Sequence, residues 1–123
     1  MEVGQIFNLP IVVAEKDSAK VLGSGGLDVF GTPALVAYME CAALKMVQND
    51  LPDGSDTVGI AIDVKHVKAS PIGAKINVSA KITAVEGRKI SFDIVATDEA
   101  GDVIGSAVHD RFVVDKARFM SKL

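Results

Sequence analysis

The amino-acid sequence predicts an α+β fold in which a strongly curved antiparallel β-sheet wraps around one long central helix. Two observations predict it: residues 32–49 form an almost uniformly apolar helical segment, and four segments between residues 58 and 114 alternate apolar and polar side chains. Strict alternation gives a strand one buried and one exposed face, so the sheet needs a cover, and only one large apolar helix is available. With 123 residues and neither repeat nor linker, we expect a single domain over residues 1–123.

The chain before the central helix is predicted to contain an edge strand and a glycine loop. Residues 3–14 favour a strand, but Pro10 lacks an N–H donor, which places the strand at a sheet edge or bends it. Residues 15–22 favour a short helical turn, and the Gly-Ser-Gly-Gly run at 23–26 favours a flexible loop. Because the run completes no phosphate-binding pattern, we do not expect it to hold phosphate.

The central helix has a clear predicted start and one charge that needs an explanation. Thr32 is predicted to be the N-cap, with Pro33 at the first helical position. Between Pro33 and Val47 only Glu40 and Lys45 are charged, which is typical of a buried helix. Glu40 lies near the middle of the helix on an otherwise apolar face. A carboxylate in that position must be paired, hydrogen-bonded or functional.

Four strands are predicted after a turn at residues 51–56. The alternation from Val58 to His66 predicts the first, and it places Val58, Ile60, Ile62 and Val64 in the same phase as His66. The other three cover residues 74–84, 90–97 and 103–114, and the polar tail adds a helical turn. Short connections make the last four strands antiparallel neighbours, or nearly so. We therefore expect His66 to point toward the helix, in the layer that contains Glu40.

Composition and charge argue against several kinds of partner and cofactor. The net charge of −3, the pI near 5.3 and the lack of a basic run give no reason to expect a nucleic acid or membrane partner. The apolar stretches are too short to cross a bilayer, and the first residues do not resemble a signal peptide. Cys41 is the only cysteine, which favours a reducing cytoplasm and a role as a small buried side chain. The two histidines show no metal-ligand spacing, so we expect no metal and no cofactor.

Thr32, Glu40 and His66 are the candidate functional residues. Singly, each has an ordinary explanation: a helix cap, a carboxylate that reaches water, and a histidine at a strand end. Together they are more informative, because a helix N-terminus favours developing negative charge near Thr32. Glu40 lies roughly 12 Å further along the helix, too far for a direct hydrogen bond to Thr32. The imidazole of His66 could bridge much of that gap.

Four segments of the chain resemble the hotdog-fold acyl-CoA thioesterases, and most of all the branch that contains fluoroacetyl-CoA thioesterase. They are VFGTPALVAYMECAA at 29–43, VGIAIDVKHVKASPIG at 58–73, TAVEGRKISF at 83–92 and IGSAVHDRFVV at 104–114. The resemblance implies the hotdog fold and at least a homodimer, or a higher assembly, with active sites near the subunit boundary. It also implies an acyl-CoA substrate.

The resemblance assigns roles to particular residues. It implies that Thr32, Glu40 and His66 form the catalytic set and that Gly59 contacts the carbonyl region of the substrate. His109 and Arg111 match an H-x-R motif, for which we expect a structural role or a substrate contact. Whether Glu40 or Thr32 attacks the thioester is left open.

One departure from the family concerns the acyl group. The fluoroacetyl branch has phenylalanines that form a lid, and this chain has Gly23 and Gly26 at the matching positions. We therefore expect an acyl-CoA thioesterase without selectivity for a fluorinated acyl group. Two alternatives are a non-catalytic module that binds acyl-CoA or another small ligand, and an enoyl-CoA hydratase of the same fold. Release of free CoA thiol separates hydrolysis from both.

Overall fold

The computed structural model describes all 123 residues, and it confirms the α+β fold with one long helix and five strands. The chain forms β1 (Ile6–Val12), a 3₁₀ turn (Glu15–Asp17), α1 (Ala19–Leu22), α2 (Thr32–Gln48), β2 (Ser55–His66), β3 (Lys75–Glu86), β4 (Lys89–Asp98), β5 (Val103–Asp115) and α3 (Lys116–Ser121). No helix is both long and apolar enough to cross a bilayer.

The five strands form one antiparallel sheet in the order β1-β3-β4-β5-β2. As predicted, the strand that contains Pro10 lies at an edge, where Pro10 is opposite Asn77 of β3. The last four strands are antiparallel neighbours, as expected, but β2 pairs with β5 rather than with β3, the strand that follows it along the chain. The connection over residues 67–74 therefore carries the chain across the sheet, and β2 becomes the second edge strand.

An irregularity in β2 changes which side chains face the helix. The register with β5 shifts between Gly59 and Ala61, and Ile60 bulges outward with 53% of its surface exposed. Before the bulge, Thr57 is buried and Gly59 faces the helix. The prediction that Val58 and Ile60 share one helix-facing phase with the rest of the strand is therefore wrong.

The central helix α2 buries one face against the concave side of the sheet. The buried residues are Ala34, Leu35, Met39, Ala42, Ala43, Met46 and Val47, and they pack on strand residues such as Ile82, Phe92 and Ile94. The opposite flank, with Val36, Ala37 and Leu44, is only partly buried or exposed. The helix is therefore apolar nearly all round, as predicted, but this single chain covers only one side of it.

The helix start differs from the prediction by one residue. Gly31 is the N-cap and Thr32 is the first helical residue, so the side chain of Thr32 does not cap the helix. A Cβ on Gly31 would lie 3.0 Å from the backbone of Ala19, which explains why a residue without a side chain occupies the cap. The hydroxyl of Thr32 is thus available for another partner.

Candidate active site

The hydroxyl of Thr32 pairs with the imidazole of His66. Thr32 begins α2, His66 ends β2, and Oγ1 of Thr32 lies 2.9 Å from Nδ1 of His66. The ring of Phe30 contacts the imidazole edge-on, with 6.1 Å between ring centroids. Burial lowers the pKa of His66, and a contact with the Lys68 backbone opposes this only in part. A neutral imidazole can accept a proton, so this geometry suits proton transfer from the hydroxyl.

The other ring nitrogen of His66 has no partner. Nε2 is buried and makes no hydrogen bond within the chain. When Nδ1 accepts the hydrogen bond of Thr32, neutral His66 carries its proton on Nε2. A buried donor without a partner is costly, so Nε2 is suited to a group that arrives from outside the chain.

A cavity of about 230 Å³ opens beside this pair. Thr32 and His66 line one side, and the segment over residues 19–29 contributes Ala19, Ser24 and Val29 to the other. Gly23 and Gly26 belong to the same segment, and a Cβ at either position would meet no atom within 4 Å. The segment beside this cavity therefore has open space, rather than side chains, at residues 23 and 26.

A second cluster surrounds Glu40 near the middle of α2. Oε2 of Glu40 lies 3.4 Å from Nη1 of Arg111 and 4.0 Å from Nε2 of His109. Gly59 approaches the same carboxylate so closely that a Cβ on it would overlap Oε2 of Glu40. The absence of a side chain at residue 59 thus creates the space that the carboxylate occupies.

Arg111 and His109 form a buried support for Glu40. Arg111 donates from Nε to the Thr57 hydroxyl (2.8 Å) and from Nη2 to the Thr57 carbonyl (3.0 Å). His109 is 1% exposed, and its Nδ1 lies 2.7 Å from the carbonyl oxygen of Ala61, which can only accept. Nε2 of His109 therefore carries the lone pair and accepts from Nη1 of Arg111, 3.2 Å away. These bonds fix the guanidinium, with Nη1 directed at Glu40.

Burial changes the pKa of both His109 and Arg111. It lowers the pKa of His109, which agrees with the neutral imidazole, protonated on Nδ1, that the hydrogen bonds require. It also lowers the pKa of Arg111, although the charge of Glu40 opposes that change. An arginine starts from so high a pKa that it stays charged at neutral pH. Because 40% of the Glu40 side chain is exposed, we expect this ion pair to add little to stability and its main effect to be orientation.

The structure arranges the predicted residues as two clusters rather than one. It brings Thr32 to His66, and Glu40 to Gly59, but it shows no contact between His66 and Glu40. Roughly 12 Å of helix axis separates the two clusters. Within one chain, His66 does not bridge them.

Sequence reasoning gave no specific role to the residues that hold Glu40 in place. His109 and Arg111 occupy the buried phase of β5, between residues that are more exposed. Two such polar side chains in the apolar phase of a strand are a signal of a buried polar network. No group of three or more His, Cys, Asp or Glu residues lies close enough together to hold a metal ion.

Comparison with known proteins places the chain in a family. The family model described as fluoroacetyl-CoA-specific thioesterase matches residues 13–117. The fluoroacetyl-CoA thioesterase of Streptantibioticus cattleyicolor is 36% identical over 96 residues, which are 78% of this chain and 68% of that protein.

Solved structures agree with this match. The structure of the fluoroacetyl-CoA thioesterase FlK superposes with a TM-score of 0.93 at 33% identity, over 99% of this chain and 94% of FlK. A variant of FlK in complex with acetyl-CoA superposes with a TM-score of 0.93 at 32% identity, over 99% of this chain and 96% of that one. A hot-dog-like protein from Thermanaerovibrio acidaminovorans shares the fold, with a TM-score of 0.91 at 20% identity over 99% and 90% of the two chains. The chain has the hotdog fold and belongs to the fluoroacetyl-CoA-specific thioesterase family.

Proposed function

We propose that this protein is an acyl-CoA thioesterase, which hydrolyses an acyl-CoA thioester to a free acid and CoA. One observation carries the proposal: the Thr32 hydroxyl, at the start of a helix, lies within hydrogen-bond distance of the His66 imidazole beside a cavity. Family membership supports it, because the relatives are fluoroacetyl-CoA thioesterases and one of them was crystallised with acetyl-CoA. The structure also supplies the carboxylate, Glu40, that hydrolysis of a thioester can use as base or nucleophile.

We infer that the enzyme is a homodimer whose active site combines the two clusters across the interface. A thioester carbonyl in contact with Thr32 cannot also contact Glu40 of the same chain, because roughly 12 Å separates them. Glu40 of the partner subunit can supply the missing carboxylate. Three features support an interface here: β2 is an open edge with Gly59 to Ala61 exposed, α2 has an uncovered apolar flank, and the Glu40 side chain is 40% exposed.

In this composite site the substrate carbonyl lies between the start of α2 of one subunit and the backbone of Gly59 of the partner subunit, which accompanies the partner's Glu40. The first N–H groups of α2 and the N–H of Gly59 stabilise the negative charge that develops on the carbonyl oxygen. In one route Glu40 removes a proton from water, water attacks the carbonyl carbon, and the carbon–sulfur bond breaks to release CoA thiolate. In the other, Thr32 attacks the carbonyl carbon while His66 takes its proton, the carbon–sulfur bond breaks to release CoA thiolate and leave an acyl ester on Thr32, and water then hydrolyses that ester. Detection of an acylated Thr32 peptide by mass spectrometry after a rapid quench supports the second route.

Substitution of Glu40 tests the activity. Glu40→Gln keeps the shape of the side chain and removes its charge, and we expect kcat to fall by about 10²-fold or more. His66→Ala should lose most activity, because the proton acceptor at the Thr32 hydroxyl is gone. The assay follows release of CoA with a thiol reagent over a panel of acyl-CoA substrates. Full turnover by a folded Glu40→Gln variant would contradict the proposed site, and absorbance loss of an enoyl thioester without thiol release would indicate a hydratase.

A mixed dimer tests whether the site combines two chains. We expect homodimers of Thr32→Ala and of Glu40→Gln to retain little activity, but a dimer of one with the other contains one intact composite site. With random pairing, co-expression should recover about a quarter of the wild-type sites. The matched control pairs Thr32→Ala with His66→Ala, which leaves no intact site in any dimer. No recovery in a verified Thr32→Ala/Glu40→Gln dimer would mean that each site lies within one chain.

We also propose that the enzyme is cytoplasmic. The chain has one cysteine, Cys41, which forms no disulfide and is half-buried on α2. A chain without disulfides fits a reducing compartment. Fractionation of the source cells with a compartment marker tests this assignment.

A further inference from the structure

A cavity of about 700 Å³ lies where the start of β2, the end of β5 and α3 meet. It does not include any residue of the two clusters. Its lining includes the hydroxyl residue Ser55, the rings of Phe112 and Phe119, and the cationic side chains of Arg88, Arg118 and Lys122. It therefore combines positive charge with aromatic surface.

The positive charge of this cavity is not neutralised within the chain. None of Arg88, Arg118 and Lys122 forms an ion pair with a carboxylate. Asp115 also lines the cavity, where its carboxylate accepts a hydrogen bond from the Arg118 backbone N–H at the start of α3, so three cations face a single carboxylate. The chain has a net charge of −3 and only three arginines, and two of these line this cavity. Guanidinium groups bind phosphate well, because their N–H groups match its oxygens in pairs.

The aromatic rings point to a base as well as a phosphate. Phe112 and Phe119 are each 37% exposed, although both are large apolar side chains. Stacking of a nucleobase on an aromatic ring is favourable and would cover such a surface. A phosphate beside a stacked base is the chemistry of a nucleotide.

The cavity lies within reach of the proposed reaction centre. Ser55 precedes Gly59 by four residues of β2, which is roughly 13 Å at about 3.3 Å per residue. In β5, Phe112 follows Arg111 directly, so the two side chains lie on opposite faces of the same strand. An extended linker could run from Gly59 along the end of the sheet to the cavity.

We propose that this cavity binds the phosphorylated adenosine portion of the CoA substrate. The inference rests on the proposed thioesterase activity, because that activity supplies a substrate with a nucleotide at the end of a long arm. Arg88, Arg118 and Lys122 contact the phosphate groups, and Phe112 and Phe119 contact the adenine. The cavity then contributes to binding and not to the chemical step.

Substrates with and without the nucleotide test the proposal. The double variant Arg118→Ser/Lys122→Ser removes two exposed cations, one on the short helix α3 and one at its C-cap. We expect the KM for an acyl-CoA to rise about tenfold with unchanged kcat, since two charge-assisted contacts are lost. Hydrolysis of the same acyl group on N-acetylcysteamine, which lacks the nucleotide, should be unchanged. The control Lys75→Ser/Lys81→Ser removes the same charge from β3 and should change neither substrate.

Direct binding makes the test independent of the activity. Calorimetry with adenosine 3′,5′-bisphosphate should detect binding to the wild type and the control, and at least tenfold weaker binding to Arg118→Ser/Lys122→Ser. Inorganic phosphate that binds as tightly as the bisphosphate would reduce the cavity to an unspecific anion site and overturn the proposal. Equal losses on both thioesters, or no loss on either, would also overturn it. A wild type that hydrolyses neither thioester would contradict the proposed function, while bisphosphate binding would still decide the role of the cavity.

Discussion

Substitution of Gly59 by alanine separates the chemistry of the site from the stability of the fold. An added Cβ would overlap Oε2 of Glu40 and would lie 3.3 Å from Cε1 of His109 and 3.4 Å from Nη1 of Arg111. Of these groups, the Glu40 carboxylate is the end of a flexible, partly exposed side chain and can move. The alanine should therefore displace the carboxylate by about 1 Å, and a misplacement of that size can cost about 10²-fold in rate.

The stability of Gly59→Ala should change little. Gly59 does not have a positive φ, so alanine meets no backbone strain there. Replacing glycine within a strand gains roughly 0.5–1 kcal/mol from the unfolded chain, and the tight contacts to His109 and Arg111 offset part of this. We expect the free energy of unfolding to change by less than about 1 kcal/mol, or roughly 5 °C in Tm.

Thermal melts and CoA release, measured on the same preparations, check both halves of this prediction. In a double-mutant cycle, Gly59→Ala should lower kcat by less than about tenfold when Glu40→Gln is already present, because the carboxylate it displaces is gone. Wild-type turnover by folded Gly59→Ala would refute the claim that the missing side chain makes room for the carboxylate. Full additivity of the two substitutions would refute the claim that Gly59 acts through Glu40.

Three further predictions follow from the same structure. Burial lowers the pKa of His66 and His109 below the ordinary value of 6.5, so the unfolded chain binds more protons in mild acid. Stability should be fully present above pH 6.5 and should fall as pH drops through the folded-state pKa values, which melts at pH 7.5 to 5 would show. Because the segment beside the cavity has glycines with open space around them at residues 23 and 26, kcat/KM for fluoroacetyl-CoA and acetyl-CoA should be similar, and a preference above roughly 10³-fold would contradict this. Cys41→Ala should leave activity unchanged in the thiol-release assay, and a large loss would show that Cys41 has a chemical role.

The elements of the fold were predictable because their signals are local. The apolar helical segment and the period-two strands each depend on neighbouring residues, and the turns between them contain glycine, proline or aspartate. The pairing of β2 with β5 was not predictable in this way. It depends on a long-range contact that no turn encodes, since the connection over residues 67–74 has no regular secondary structure.

The site was less predictable because its residues interact across the fold. Thr32 was expected to cap its own helix, but Gly31 occupies the cap and the hydroxyl pairs with His66, which is 34 residues away. Arg111 was left without a specific role, although its position in the buried phase of β5 indicates a paired cation. Its partners, Thr57 and Glu40, lie on two other elements, so only the folded chain identifies them.

The bulge at Ile60 connects the fold to the proposed chemistry. Gly59 and His66 are an odd number of residues apart, so a regular strand would place them on opposite faces of the sheet. The extra residue at the bulge shifts the phase by one, and both then face α2, Gly59 at Glu40 and His66 at Thr32. Without the shift, the side chain of Ile60 would point toward the space that the carboxylate needs. One inserted residue therefore lets a single strand contribute to both clusters of the proposed active site.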